Sequence, residues 1–135
     1  MTVPSGPIPS FQKGSRLLNG SDVQKLADLN SSQANVTAKA GGTKAAATQI
    51  TSCNVEVSVC ATNNDSVILP LGYAGLKIII ANAGAATLAV YGKGTDTING
   101  VATATGVTQA TGITALYMCM DVAAGVGQWY RILSA

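Results

Sequence analysis

The sequence predicts a mainly β protein: a small antiparallel β-sandwich or jelly-roll-like barrel with an extended N-terminal arm and one short helix. Three observations carry this expectation. Several stretches alternate apolar and polar residues with a period of two, as in CNVEVSV. Short turns rich in Gly and Asn separate these stretches. Helical spacing occurs once, near the N-terminus. Regular short strands with tight turns and almost no helix are the pattern of a sandwich or barrel. At 135 residues, the chain has the length of one domain with one modest core.

The arm comes first. Pro4, Pro7 and Pro9 crowd residues 1–19 and favour extended, unpaired backbone. Val3, Ile8, Phe11, Leu17 and Leu18 are too interrupted to form a core, yet too apolar for a simple solvated tail. They are expected to lie in a groove of a partner, pre-extended by proline so that less entropy is lost on binding. In NGSDVQKLADLN, Ser21 is a fitting N-cap with Gln24 completing a capping box. Val23, Leu26, Ala27 and Leu29 then share one side of a short helix. Arm and helix together occupy residues 1–34, and the β-domain residues 35–135.

The β-domain opens with CNVEVSV, which places Cys53, Val55, Val57 and Val59 on one face and Asn54, Glu56 and Ser58 on the other. TNNDS turns the chain, VILP is a short strand stopped by Pro70, and LGYAG turns it again. Leu76, Ile78 and Ile80 then face one way. ANAG supplies Asn82 and Gly84 for positive φ, and Leu88 and Val90 return on the same face, which predicts a β-hairpin. The opposite face of that hairpin carries Lys77, Ile79, Ala81, Thr87, Ala89 and Tyr91, too apolar to stay wet. Something is expected to cover it, and Ile79, Ala89 and Tyr91 are the predicted contacts of a homotrimer interface. YGKGTDTING is a further turn with Gly100 expected at positive φ, followed by the strands ALYMCM and QWYRIL joined through DVAAGVG. No repeat of fixed period is visible.

Composition narrows the function classes. Charged residues make up 10% of the chain, well below an ordinary soluble domain, so its surface is expected both to expose Ser, Thr, Asn and Gly and to be covered in part by other subunits. The net charge of +2 comes from scattered Lys and Arg, with no basic stripe for nucleic acid. No window has the length and apolarity of a membrane span or a signal peptide. With 3 Cys, no CxxC pair and no His, zinc is not expected; Cys53, Cys60 and Cys119 read as small buried hydrophobes. A nucleophile activated by His is impossible without histidine. The carboxylates stand singly, and Asp65 and Asp96 sit where Asx turns place them. GKGTDT lacks the glycine spacing and the following helix of a phosphate loop, and so reads as a turn. Trp129 reads as core filling in preference to a sugar-stacking platform. Neither enzymatic activity nor a cofactor is expected.

The order VTAKAGGTKAAAT, then DSVILPLGYAGLKIIIANAGAATLAVYGKGTDTING, then GQWYRIL resembles a group of small tailed-bacteriophage structural proteins, the head decoration (cement) and head-fibre type. The likeness spans about Asn35 to Leu133: a strand ending Leu-Pro, a Gly turn, an apolar strand, Asn-x-Gly, a strand ending in Tyr, a Gly-Asp turn and Ile-Asn-Gly. Tyr91 is followed by Gly92 where that pattern has proline. The resemblance implies a β-rich homotrimer on the outer surface of a virion capsid, clamping neighbouring major capsid subunits, with no nucleic acid or membrane partner. It also implies a runner-up, a trimeric tail-fibre module binding host surface glycans.

Overall fold

The computed structural model describes residues 31–135. Ten strands follow in order: β1 (Ser32–Thr37), β2 (Thr48–Gln49), β3 (Asn54–Val59), β4 (Asp65–Ile68), β5 (Lys77–Asn82), β6 (Leu88–Tyr91), β7 (Thr97–Ile98), β8 (Val107–Gln109), β9 (Thr114–Ala123) and β10 (Val126–Leu133). A single 3-10 turn, Lys44–Ala46, precedes β2. The strands form two facing sheets, a six-stranded one in the order β1-β3-β5-β9-β10-β7 and a four-stranded one in the order β2-β4-β6-β8. This is the mainly β, sandwich-like architecture the sequence predicts. The arm and short helix expected before Ser31 lie outside the described residues, as do Val3, Ile8, Phe11, Leu17 and Leu18. β1 starts ahead of the β-domain boundary expected at Asn35.

Strand direction is mixed instead of antiparallel throughout. Through β6, odd-numbered strands enter the larger sheet and even-numbered ones the smaller. β1, β3 and β5 stack in parallel, as do β2, β4 and β6. The chain thus winds through three coils, each contributing one strand per sheet. β8 then pairs antiparallel with β6 and β9 with β5, closing the stack. β9 and β10 form a long antiparallel hairpin turned by Ala124 and Gly125, both at positive φ. The coils leave no fixed-period sequence repeat because their lengths differ: Ser32 pairs with Asn54 but Asn54 with Ile79, and Thr48 pairs with Val67 but Val67 with Val90.

The predicted hairpin of Leu76–Ile80 with Leu88–Val90 does not form. β5 lies in the larger sheet and β6 in the smaller, and the link between them crosses from one sheet to the other. Asn82 and Gly84 do not adopt positive φ. Instead the Asn82 side chain ends the strand, its Nδ2 donating to Ala86 O at 2.9 Å and Gln109 O at 3.0 Å while its Oδ1 accepts from Gly84 N at 3.1 Å. Gly84 is needed for close packing, since a Cβ there would come within 2.5 Å of the Cys60 backbone and Cβ. Gly100 has the expected positive φ, +69°, in the turn after β7.

The core fills the space between the sheets. Val55, Val57, Ile78, Ile80, Tyr117, Cys119 and Trp129 from the larger sheet meet Val67, Leu69, Leu88 and Val90 on the smaller. Trp129 has 0% exposure, so it fills the core as predicted. The alternation in β3 breaks at its end, where Val59 turns outward and Cys60 inward.

Candidate interaction surface

Over Ser66, Ala89 and Tyr91 the outer side of the smaller sheet is closed by the chain itself. Ala89 and Tyr91 point outward from β6 yet are only 4% and 9% exposed. The Tyr91 ring packs on Gly106, where a Cβ would lie 2.8 Å from it. Lys44 spans the connecting segments, donating from Nζ to Gly94 O at 2.6 Å and Thr103 O at 3.0 Å. Ser66, also outward-facing, lies under Gly42. Its Oγ has no hydrogen-bond partner among the described residues, and the chain has no histidine that could activate it.

Among the described residues, nothing covers the outer side of the larger sheet. Pairing across the strands aligns Ile79 with Leu116 and Leu116 with Ile132 in one row. A second row aligns Lys77, Met118 and Tyr130. Ile79 is 42% exposed, Tyr130 48% and Ile132 57%, with Met120 at 60% beyond them. Leu116 and Met118 are half-buried between these neighbours. A hollow of about 280 Å³ opens between Gly75, Lys77, Met118, Cys119 and Met120. Charge on this face is sparse, with Glu56 on β3 and Lys77 within the second row at the start of β5. So contiguous an apolar face with so little charge is unusual for the exposed side of a sheet.

The three residues predicted to form one interface are therefore separated. Ile79 lies on the bare face, whereas Ala89 and Tyr91 belong to the other sheet and are covered by the chain's own loops. The shared face was inferred from a hairpin, and without that pairing it does not exist. The period of two in ALYMCM and QWYRIL carries the missed signal. Leu116, Met118 and Met120 alternate with Ala115, Tyr117 and Cys119, so that strand is apolar on both sides, as are Tyr130 and Ile132 beside Trp129.

The buried carboxylates are occupied in holding turns. Asp65 accepts from the Ala61 and Thr62 amides at 2.8 and 3.0 Å, from Thr62 Oγ1 at 2.6 Å and from Gly41 N at 3.0 Å. The Thr62 hydroxyl and amide hold its carboxyl down at about 2. Asp96 accepts from Gly72 N and Gly127 N, each at 2.7 Å, and from Trp129 Nε1 at 3.2 Å. These two carboxylates sit in separate turns and form no acid–base pair. Tyr117 donates to Gln109 Oε1 at 2.9 Å, and Gln109 Nε2 donates to Ile80 O and Ile113 O. Burial pushes the Tyr117 phenol upward.

Cys53, Cys60 and Cys119 are buried and not disulfide-bonded. Burial, reinforced by Asp65 and Asp96 respectively, raises the Cys60 and Cys119 thiols, which keeps them protonated and poorly nucleophilic. Among the described residues no three His, Cys, Asp or Glu side chains converge on a possible metal position, and no helix is long and apolar enough to cross a membrane. GKGTDT runs from a turn into the short strand β7, without the helix a phosphate loop needs.

No protein-family model matches the chain, and no curated protein shows significant sequence similarity to it.

Proposed function

We propose that this chain is a structural virion protein, bound to the outside of a phage capsid as a homotrimer and stabilising contacts between major capsid subunits. The observation that carries this reading is the bare face of the larger sheet, with its rows Ile79–Leu116–Ile132 and Lys77–Met118–Tyr130. In a chain with only 10% charged residues, such a face is stable when it is covered by protein. Three copies turning this face towards a common axis would bury it in a subunit core. The N-terminal arm, with Val3, Ile8, Phe11, Leu17 and Leu18, then supplies the attachment to the capsid. The sequence order that resembles head decoration proteins supplies the capsid as partner, and the buried, fully engaged carboxylates argue for a scaffold over an enzyme.

The test is occupancy on capsids purified without the protein. The full chain should co-sediment with them at hundreds of copies per particle, as a decoration protein does, and removal of residues 1–14 should abolish this while leaving β-sheet circular dichroism intact. Co-sedimentation at a few dozen copies or fewer would point to a tail appendage. Unchanged occupancy by the truncated chain would move the attachment onto the β-domain.

A further inference from the structure

A second surface lies on the opposite side of the molecule, over the smaller sheet. A cleft of about 540 Å³ opens between the Lys44–Ala46 turn, β2 and the turn leading to β7, lined by Lys44, Ala45, Ala47, Gln49, Ile68 and Lys93. That volume falls in the range of small-molecule sites. Its lining is mainly apolar, with Ala45, Ala47 and Ile68, the last on the outward side of β4. Two ammonium groups stand at its edge.

Both ammonium groups are held in place by neutral acceptors. Lys44 Nζ is fixed by the carbonyls of Gly94 and Thr103. Lys93 Nζ donates to Gln49 Oε1 at 2.6 Å. Gln49 is itself oriented, because its Nε2 donates to Ile50 O at 2.8 Å and Ile68 O at 3.2 Å, which turns Oε1 towards Lys93. Surface lysines usually lose side-chain entropy on engaging a ligand, and here much of that loss has been met in folding.

Neither lysine meets a carboxylate among the described residues. Asp65 and Asp96 are turned inward and engaged with amides and, for Asp96, the Trp129 indole. Glu56 faces outward from the larger sheet, and Asp121 Oδ1 binds the Val122 amide at the far end of β9. The cleft therefore keeps two positioned positive charges with N–H groups to spare, above an apolar floor.

We propose that this cleft binds an oxyanion, a carboxylate or phosphate group, carried on a compact apolar body. The anion sits between the Lys44 and Lys93 ammonium groups and the body rests on Ala45, Ala47 and Ile68. The site does not depend on the capsid reading, because it lies on the opposite sheet from the face that reading uses.

The test is a nuclear magnetic resonance titration of the full chain with phenyl phosphate, benzoate, inorganic phosphate and phenol, following the amides of Lys44, Gln49, Lys93 and Gly94. Phenyl phosphate and benzoate should shift these amides saturably, more weakly as salt is raised. Phenol, which lacks the charge, and inorganic phosphate, which lacks the body, should bind at least about tenfold more weakly. Lys93→Gln and Lys44→Gln, each first verified by thermal melting to keep the fold, should each weaken phenyl phosphate about tenfold. If Lys44→Gln loosens the loops it clasps, Lys93→Gln alone decides. Unaltered affinity in Lys93→Gln, equal affinity for inorganic and phenyl phosphate, or no saturable shift with any probe would overturn the proposal.

Discussion

At Asp96 one carboxylate joins three separate segments, through Gly72, Gly127 and the Trp129 indole. Asp96→Ala would leave three donors unpaired, two buried and the Gly72 amide half-buried, and the expected loss is about 3 kcal/mol or more in urea unfolding. Asp65 holds its own turn by the same means and adds a pH dependence. Its carboxyl is depressed from 3.8 to about 2 in the folded state. A depressed carboxylate stabilises the fold above its ordinary value and loses that contribution as pH falls towards the folded one. Stability should therefore decline through the window from about 4 down to about 2, and Asp65→Asn should flatten that decline in thermal melts run across it. The sequence made both residues legible as turn aspartates. Their burial and the segments they join depend on pairings between distant strands, which local spacing does not encode.

Among the elements, the coil made by β5 and β6 is where reading by period succeeds and reading by connection fails. Leu76, Ile78, Ile80, Leu88 and Val90 are all inward, as the period of two predicts. Their link, however, is an arch between sheets. The runs KIIIA and LAVY contain the reason. Strands stacked in parallel in the middle of a sheet, with chain covering one or both faces, read as continuous apolar runs, whereas a hairpin with a wet side alternates. The arch is fixed by Asn82, which bridges Ala86, Gln109 and Gly84. Asn82→Ala should cost about 2 kcal/mol and speed amide hydrogen exchange in β6 and β8 more than in the β9–β10 hairpin. Uniform acceleration across all strands would show that the arch has no local role. Gly84→Ala should be as damaging, because its Cβ would meet the Cys60 backbone, which cannot move aside.

Over the whole molecule, the two sheets face different surroundings. The smaller is roofed by the chain's own segments over Ser66, Ala89 and Tyr91. The larger leaves Ile79, Tyr130, Ile132 and Met120 uncovered. Composition foretold an apolar surface in need of cover, through its 10% charge, but could not say which sheet would carry it, because outward position depends on which strands share a sheet. Leu116 lies at the centre of the bare rows and is half-buried by its neighbours, so a charge there disrupts the face while leaving the core between the sheets untouched. The most direct measurement is the solution mass of the full chain and of Leu116→Lys by light scattering at micromolar concentration, with circular dichroism to verify that both are folded. A trimer is expected for the native chain and a folded monomer for Leu116→Lys. A native chain that is a well-behaved monomer, or a Leu116→Lys variant that remains a trimer, would overturn the proposed assembly through this face.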